Sequence, residues 1–251
     1  EFSSVLKEKL LQTPGIDQVL EAIQINEMDS LDKIKVEVNK YMSKEIADKT
    51  FVIRAKRVGT QDFKSMDIEQ TVGGYMLAHN KTKGVDLRNA EVTIKLELEH
   101  NKLNIITQKH QGLGGFPLGS QGEILSLMSG GFDSTVASYL SIKRGLKTHF
   151  IFFNLGGIAH EIGVKQVSWY LWNKFASTHR VSFITIPFED VVGQIFKDIS
   201  PSYMGVMLKR LMIIAAERVA KDMKIDALMT GESVAQVSSQ TLRNLSLIDS
   251  A

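Results

Sequence analysis

The sequence predicts two domains of different class, an α+β domain followed by an α/β domain with a doubly wound parallel sheet. Before residue 110, strands that alternate apolar and polar residues are mixed with amphipathic helices. After residue 122, wholly apolar strands alternate with helices, which is typical of a parallel sheet covered on both faces. The length of 251 residues also exceeds the usual size of one domain.

In the first part, the clearest strand is the one in which Val92, Ile94, Leu96 and Leu98 alternate with polar residues. The helices are recognised by apolar residues three and four positions apart. The predicted helix over 67–80 contains Gly73-Gly74 and is expected to break there. The predicted helices are 3–12, 29–42 and 67–80, and the predicted strands are 16–25, 50–56, 91–99 and 103–107.

The segment QGLGGFPLGSQG, residues 111–122, contains five glycines and a proline. This composition is typical of a linker or of the approach to an active site, and the domain boundary is placed there. Beyond it, ligands are expected at the carboxyl ends of the parallel strands. The predicted strands are 124–128, 148–153, 183–186 and 227–229, with helices over 133–144, 162–179 and 204–222.

Composition narrows the classes of function. The net charge of +2 neither requires nor excludes a nucleic-acid partner. No window is long and apolar enough for a membrane span, and we expect a cytoplasmic protein. The chain contains no cysteine, so disulfides, thiolate nucleophiles and zinc–thiolate sites are excluded within it.

A strand, the loop SGGFDS and a helix follow one another over residues 124–144. Gly130 and Gly131 allow a tight turn and close approach of the backbone to an anion. Backbone N–H groups and the helix dipole then face a phosphate, and the Ser129 and Ser134 hydroxyls are expected to add donors. The loop is neither a Walker A nor a Rossmann motif. The alternative is a plain turn in which serine and aspartate cap the helix.

An acidic residue in an anion site requires a cation. Asp133 is therefore predicted to hold Mg²⁺, directly or through water, with pyrophosphate as the other ligand.

The loop resembles the SGGxDS signature of the pyrophosphatase-type (PP-loop) ATP-binding family, whose members adenylate a carbonyl oxygen and release pyrophosphate. Other segments resemble the tRNA 4-thiouridine synthase family, sulfurtransferases that are also linked to thiamine thiazole synthesis. These segments are GLGGFPLGS (112–120), FFNLGGIAHEIGV (152–164), YLWNKF (170–175), MGVMLKR (204–210) and TGESVAQVSSQTL (230–242).

This resemblance implies a domain organisation. Residues 1–24 would be the tail of an N-terminal ferredoxin-like domain, and residues 25–110 a THUMP RNA-binding domain. Residues 111–122 would form the glycine-rich linker, and residues 123–251 a PP-loop ATP-binding domain truncated at its C-terminus.

The resemblance also implies the contacts with ATP. Asp133 and Lys209 would serve catalysis, with Lys209 countering phosphate charge. The alternative interpretation is that Phe152 and Phe153 are ordinary core aromatics and that Lys209 is a solvated surface lysine. The implied ATP contacts are Leu127, Met128, Ser129, Gly130, Gly131, Asp133, Ser134, Phe152, Phe153, Lys209, Gly231 and Gln240.

Basic residues cluster around the strand 50–56 and the loop after it. The cluster, Arg54, Lys56, Arg57 and Lys64, fits phosphate contacts that position tRNA without reading its sequence, although a solvated strand face explains it as well. A second group, Lys143, Arg144 and Lys147, extends the candidate surface, and Arg180 is a weaker candidate. His160-Glu161 is a candidate acid–base pair near the second apolar strand, with a structural role as its alternative.

The resemblance implies that ATP adenylates O4 of a tRNA uridine and that a persulfide, supplied by a cysteine desulfurase, then displaces AMP. The family's catalytic cysteines have no counterpart here, so we expect a fragment that does not complete thiolation. A homodimer is left open. Two other functions remain: another PP-loop adenylating enzyme that uses ammonia or an amine, and a non-catalytic nucleotide- and RNA-binding module.

Overall fold

The computed structural model describes residues 2–236 and 240–250. The chain divides into two compact units. One comprises Gln18–His110, and the other combines Glu1–Asp17 with Gln111–Ala251. The second unit therefore begins with the helix α1 (Phe2–Leu11) before the chain enters the first.

The unit Gln18–His110 is built on a five-stranded mixed sheet with the order β1-β5-β4-β2-β3. Strand β2 runs parallel to β3 and β4, and β4 is antiparallel to β5. Its elements are β1 (Gln18–Ile25), α2 (Leu31–Met42), β2 (Thr50–Val58), α3 (Ser65–His79), β3 (Gly84–Val85), β4 (Val92–Glu99) and β5 (Lys102–Gln111).

The core of this unit lies between the two helices and one face of the sheet. Phe51 and Ile53 of β2 and Ile94, Leu96 and Leu98 of β4 are at most 4% exposed. The alternate residues of the same strands point to the other face, as the period of two requires. The predicted strand with Val92, Ile94, Leu96 and Leu98 is thereby confirmed.

Helix α3 is continuous, so the predicted break at Gly73-Gly74 is wrong. Ile68, Val72 and Met76 form one fully buried stripe on it. Each helix-interior glycine costs about 1 kcal/mol relative to alanine, and the burial of this stripe outweighs that cost.

Strand β1 belongs to the five-stranded sheet, whereas the sequence analysis grouped residues 1–24 with a preceding domain. It lies beside β5, where Gln24 Nε2 donates to Asn104 Oδ1 at 3.1 Å and Thr107 Oγ1 donates to the Glu21 carbonyl at 3.2 Å. These bonds link residues 80 and 86 positions apart, which a local pattern does not reveal.

The glycine-rich segment 111–122 is packed rather than a loose linker. A Cβ on Gly112 would lie 2.3 Å from the Ile16 carbonyl oxygen, and one on Gly115 would lie 1.8 Å from that of Lys143. Phe116 N donates to the same Lys143 carbonyl at 3.2 Å. The glycines therefore serve close backbone approach, which composition alone does not distinguish from flexibility.

The other unit contains a four-stranded sheet with the order β8-β7-β6-β9, in which every described pair is parallel. The predicted doubly wound α/β class is confirmed. Its elements are β6 (Glu123–Leu127), α4 (Phe132–Lys143), β7 (Lys147–Asn154), α5 (Ile158–Leu171), β8 (Phe183–Pro187), α6 (Glu189–Asp198), α7 (Met204–Met223), β9 (Leu228–Met229) and α8 (Leu242–Asp249).

Helices cover both faces of this sheet. Helices α4 and α5 pack on one face around Phe150 and Phe152, and α7 packs on the other around Leu125 and Ile151. The helix predicted over 162–179 instead begins at Ile158 and ends at Leu171, where a π-helical turn, Trp172–Ala176, follows. Sequence patterns did not predict β3, α6 or α8.

Across the part of the chain that the structure describes, no helix is both long and apolar enough to cross a membrane.

A buried histidine ties three segments at the amino edge of this sheet. His149 is 5% exposed, and its Nδ1 accepts a hydrogen bond from Ser182 N at 3.0 Å. Its Nε2 therefore carries the proton and donates to Glu123 Oε2 at 3.0 Å. Lys147 and, to a smaller extent, His149 hold the pKa of Glu123 below its ordinary value.

Replacing Glu123 with alanine is expected to lower the free energy of unfolding by about 1–3 kcal/mol, because the buried Nε2–H loses its acceptor. Urea denaturation measures this change.

Since folding lowers the pKa of Glu123, the contribution of Glu123 to the free energy of unfolding is present near neutral pH. It is lost as the pH falls through that lowered pKa. The control Glu217→Ala removes a surface pair with Lys221 and should cost under about 0.5 kcal/mol. Equal effects of the two substitutions would contradict the assignment.

Candidate functional site

The strand order places two loops side by side at the carboxyl edge of the four-stranded sheet. The chain leaves β6 toward β7 and β8 and returns as β9 on the other side of β6. This reversal is the topological switch point at which open α/β sheets bind ligands. The loop 128–131 follows β6, and Thr230-Gly231-Glu232 follows β9.

The amino end of α4 has unpaired N–H groups. Its N-cap is Gly131, and no side chain within the described residues caps it. The first N–H groups of a helix have no intrahelical partner, and the helix dipole makes this end attractive to anions. A serine or aspartate at position 131 could accept a hydrogen bond from one of these N–H groups. Glycine has no side chain to do so, and the N–H groups therefore stay available to an anion.

Gly231 lies directly against this helix end. A Cβ built on it would be 2.4 Å from Ser134 N and 2.5 Å from the Asp133 carbonyl carbon. Every other residue would push into the backbone of the loop. The close approach forms a cradle of main-chain groups at the switch point, where the sequence analysis named Gly231 as an ATP contact.

The two loop serines hydrogen-bond to each other, and Ser134 is buried whereas Ser129 is exposed. Ser134 Oγ is 3.0 Å from Ser129 Oγ, accepts from Ser129 N at 3.2 Å, and donates to the Gly131 carbonyl at 3.2 Å. Each hydroxyl has one proton, and both are used inside the loop. The expected direct donation from these hydroxyls to an anion is thus absent from this arrangement, in which they fix the shape of the loop.

His160 and Glu161 do not form an acid–base pair. His160 Nε2 donates to the Ser129 carbonyl at 2.9 Å, and its ring packs edge-on against Phe152. Glu161 accepts from Lys165 at 2.6 Å and from Asn154 and Thr185 at 3.0 Å. The Lys165 ammonium, followed by the Thr185 hydroxyl, holds the pKa of Glu161 below its ordinary value. His160 therefore holds the loop after β6, whereas Glu161 links α5 to β7 and β8.

A cavity of about 210 Å³ opens beside the loop. This is smaller than the roughly 300–1,000 Å³ of pockets that enclose a whole drug-sized ligand, so it suits one ring system. The cavity gathers eight of the predicted ATP contacts: Leu127, Met128, Ser129, Ser134, Phe152, Phe153, Lys209 and Gly231. It leaves Gly130, Gly131, Asp133 and Gln240 outside its lining.

Lys209 reaches this cavity as part of a polar network. Its Nζ lies 2.8 Å from Glu232 Oε2, and the same oxygen accepts from Gln240 Nε2 at 2.7 Å. The sequence analysis named Lys209 and Gln240 but missed Glu232, although the motif TGE contains it. Gln240 thus acts on the site through Glu232 and is itself 6% exposed.

Helix α8 supplies a wall of the cavity that the sequence analysis also missed. Ile248 and Asp249 line the cavity. Arg210 of α7 binds the carboxyl end of α8 through the Leu247 carbonyl and Ser250 Oγ. The signal was present in Thr241, which caps α8, and in the apolar spacing of LRNLSLID.

Asp133 lies in the first turn of α4 and is exposed. No group of three metal-ligating side chains occurs among the described residues. Mg²⁺ commonly takes only one or two protein carboxylates and completes its shell with phosphate and water, so Asp133 suits such an ion.

A larger groove of about 840 Å³ lies elsewhere in this unit, between α1 and the π-helical turn. It is lined by residues such as Glu8, Lys9, Tyr170 and Lys174 and by none from the SGGFDS loop. It lacks the glycine cradle and the free helix end, so we do not consider it the site.

The basic cluster is divided by the alternation of β2. Arg54 and Lys56 are exposed on the face away from the helices, with Lys95 beside Arg54 on β4. With Lys109 they line a groove that also contains Glu69 and Glu97. Arg57 instead binds the turn after β2, donating to the Gly59 carbonyl at 2.9 Å. Lys64 does not line the groove.

The second basic group lies at the other edge of the four-stranded sheet. Lys143 and Arg144 end α4, which runs back from the loop, and Lys147 pairs with Glu123 at 2.8 Å. Arg180 is exposed. The sequence analysis missed Lys95 and Lys109 because their partners in the groove are far away in the chain.

Comparison with known proteins identifies the family. Residues 119–251 match the model of the thiamine biosynthesis protein (ThiI) family, and residues 29–108 match the THUMP domain. The chain belongs to the ThiI family. The resemblance inferred from the sequence motifs is thereby confirmed.

Relatives within the ThiI family are close in sequence. The chain is 51% identical to a tRNA sulfurtransferase of Saccharophagus degradans over 98% of its own length and 50% of the relative's. It is also 51% identical to a tRNA sulfurtransferase of Colwellia psychrerythraea over 97% and 50%. The chain thus spans about half the length of the curated relatives it matches.

A solved structure shares the fold. It is the crystal structure of a 4-thiouridine synthetase–RNA complex with bound ATP, at a TM-score of 0.81 and 26% identity. The match covers 98% of this chain and 64% of that one. Because the match covers 98% of this chain, it includes both of the compact units.

Replacing Gly231 with alanine is expected to lower the free energy of unfolding by about 1–3 kcal/mol, because the new methyl group overlaps the backbone of the loop. Chemical denaturation measures the change. Gly163→Ala is the matched control: nothing lies within 4 Å of its Cβ position, and alanine favours the helix. Wild-type stability of Gly231→Ala would show that the cradle is looser than described.

Proposed function

We propose that this chain binds ATP at the switch-point loop and adenylates a uridine of tRNA as the first step of 4-thiouridine formation. The observation that carries the proposal is the cradle of Gly231 against the open amino end of α4, beside an apolar cavity. Membership of the ThiI family and the likeness to tRNA sulfurtransferases support it.

The two parts of the site match the two parts of ATP. The cavity wall contains Phe152, Phe153, Met128 and Ile248, which suit the flat faces of a purine. The open helix end and the glycines suit phosphates. Lys209 stands at the cavity with its ammonium 2.8 Å from Glu232, so phosphate would compete with that carboxylate for it.

Asp133 would hold Mg²⁺ together with the pyrophosphate oxygens. When bound, such an ion neutralises negative charge on the leaving pyrophosphate. The N–H groups of α4 and the Lys209 ammonium would also stabilise negative charge on the leaving pyrophosphate.

The reaction would exchange a poor leaving group for a good one. The uracil O4 attacks the α-phosphorus of ATP as the N3 proton is lost, the bond to the bridging oxygen breaks, and pyrophosphate leaves with its electron pair. The outer sulfur of a persulfide then adds at C4 and expels AMP. A thiol outside these residues would cleave the remaining S–S bond by forming a disulfide with the cysteine that carried the persulfide, which leaves one sulfur on C4. Since these 251 residues contain no cysteine, a persulfide from elsewhere, such as one charged by a cysteine desulfurase, would supply the sulfur.

The open face of the five-stranded sheet would contact tRNA phosphates. Arg54, Lys56, Lys95 and Lys109 outnumber the two carboxylates in their groove. Because phosphate contacts carry no sequence information, this face would position the RNA, and the choice of uridine would depend on other contacts.

The decisive test is tRNA-dependent release of pyrophosphate from ATP by the 251-residue chain. Asp133→Asn is expected to lower the rate by about a hundredfold or more, because charge on the leaving group loses its support. Its affinity for tRNA should stay unchanged. Asp222→Asn, in the last turn of α7, is the matched control and should behave as wild type.

Other results would favour the alternatives. Pyrophosphate release with ammonia or an amine but without tRNA would indicate a different PP-loop adenylating enzyme. Binding of ATP and tRNA with no pyrophosphate release in the wild type would indicate a non-catalytic module.

Single substitutions Arg54→Ala, Lys56→Ala and Lys95→Ala are each expected to weaken tRNA binding regardless of sequence. Each should reduce the slope of log affinity against log salt by about one, since one phosphate contact is lost. Fluorescence or filter-binding titrations at several salt concentrations measure the slope. Lys40→Ala removes an equal charge from α2, on the covered side of the sheet, and should leave the slope unchanged. A wild-type slope in all three variants would refute the proposed RNA face.

A further inference from the structure

The most exposed large apolar side chain in the described part of the chain belongs to the SGGFDS loop of the candidate site. Phe132 is 91% exposed and is the first residue of α4, directly after Gly131. Its ring is absent from all three hydrophobic clusters. Burial of this ring against a ligand or partner would be favourable, and the ring is accessible for such a contact.

Phe132 is attached to the groups that face the anion. Its own N–H belongs to the open first turn of α4, and Asp133 and Ser134 follow it. The ring is therefore tethered within one residue of the place at which the phosphates of a nucleotide would lie. A contact made by this ring lies beside the reacting phosphate rather than at a distant surface.

The helix beside α4 repeats this arrangement. Helix α5 follows the neighbouring strand β7, packs beside α4, and has Gly157 as its N-cap and Ile158 as its first residue. Ile158 is 77% exposed, and Leu155 in the preceding loop lines the cavity. Both helices thus present an exposed apolar residue at the carboxyl edge of the sheet.

The proposed reaction requires such a surface. A uracil O4 reaches a phosphate held in a loop only if its base leaves the stack of the RNA, and extrusion costs a few kcal/mol of stacking and pairing. Proteins offset this cost by stacking an aromatic ring on the base. Phe132 is an exposed aromatic ring with the required position.

We propose that Phe132 stacks on the extruded uracil of the RNA substrate and positions its O4 beside the loop, with Ile158 bordering the same base. This inference rests on the proposed adenylation of a tRNA uridine. Phe132 is then a substrate-positioning residue, whereas overall RNA affinity comes from the basic sheet face.

A second interpretation is that Phe132 belongs to a surface on α4 that docks another protein, and other exposed residues of the same helix serve as a control for it. Val136 and Leu140 follow Phe132 at intervals of four residues and are 52% and 50% exposed. If this stripe were a docking surface for a protein, Leu140 would contribute as Phe132 does. If Phe132 serves the base, Leu140, two turns away, contributes nothing.

The experiment measures tRNA-dependent pyrophosphate release by the 251-residue chain at saturating ATP. Phe132→Ala should lose roughly five- to a hundredfold in rate at limiting tRNA, the range of one base–aromatic stack. Phe132→Trp should keep most of the wild-type rate, and Leu140→Ala should equal wild type. ATP affinity should be unchanged in all three.

A second measurement separates this inference from the proposed function. In Phe132→Trp, tRNA that contains the target uridine should quench the fluorescence of the new indole, whereas tRNA with an abasic site at that position should not. The wild type, which contains Trp169 and Trp172, is the reference for this signal. Wild-type rates in Phe132→Ala, equal losses in Leu140→Ala, or no uridine-dependent quenching would each overturn the proposal. If the wild type releases no pyrophosphate, the adenylation proposal fails, and the quenching still decides whether Phe132 stacks on the base.

Discussion

The close approach of Gly231 to the amino end of α4 is the constraint on which the rest of the site depends. It exists because β9 returns to the sheet beside β6, so that two loops far apart in sequence meet at one point. The distance from its Cβ position to Ser134 N, 2.4 Å, leaves no room for any side chain. The same return path brings Glu232 to Lys209 and fixes which charges border the cavity.

Much of this site follows from short-range patterns. An apolar strand, two glycines and a helix predict an anion loop because each feature acts within a few residues. Phe152 and Phe153 were named through the family resemblance, and they stay predicted ATP contacts that lie at the carboxyl end of β7 and line the cavity. The class of the fold was likewise predicted, whereas the order of the four strands came from the structure.

The remaining features depend on distances that sequence patterns do not encode. The mutual hydrogen bonding of Ser129 and Ser134 depends on rotamers, and a serine beside glycines is equally consistent with an anion contact. The continuity of α3 depends on a buried stripe that outweighs two glycines. Lys95 joins Arg54 only through strand register, because 41 residues separate them in the chain and the strands pair in parallel.

Helix α8 gives the cavity an additional property. Ile248 is 2% exposed while forming a wall of the cavity, and α8 is fastened to α7 at its carboxyl end by Arg210. A ligand that touches Ile248 or Asp249 binds the docked helix and not the undocked one, so occupancy of the cavity and docking of α8 form one thermodynamically linked equilibrium. The protection of α8 amides against hydrogen exchange therefore reports how full the cavity is, without any label on the ligand.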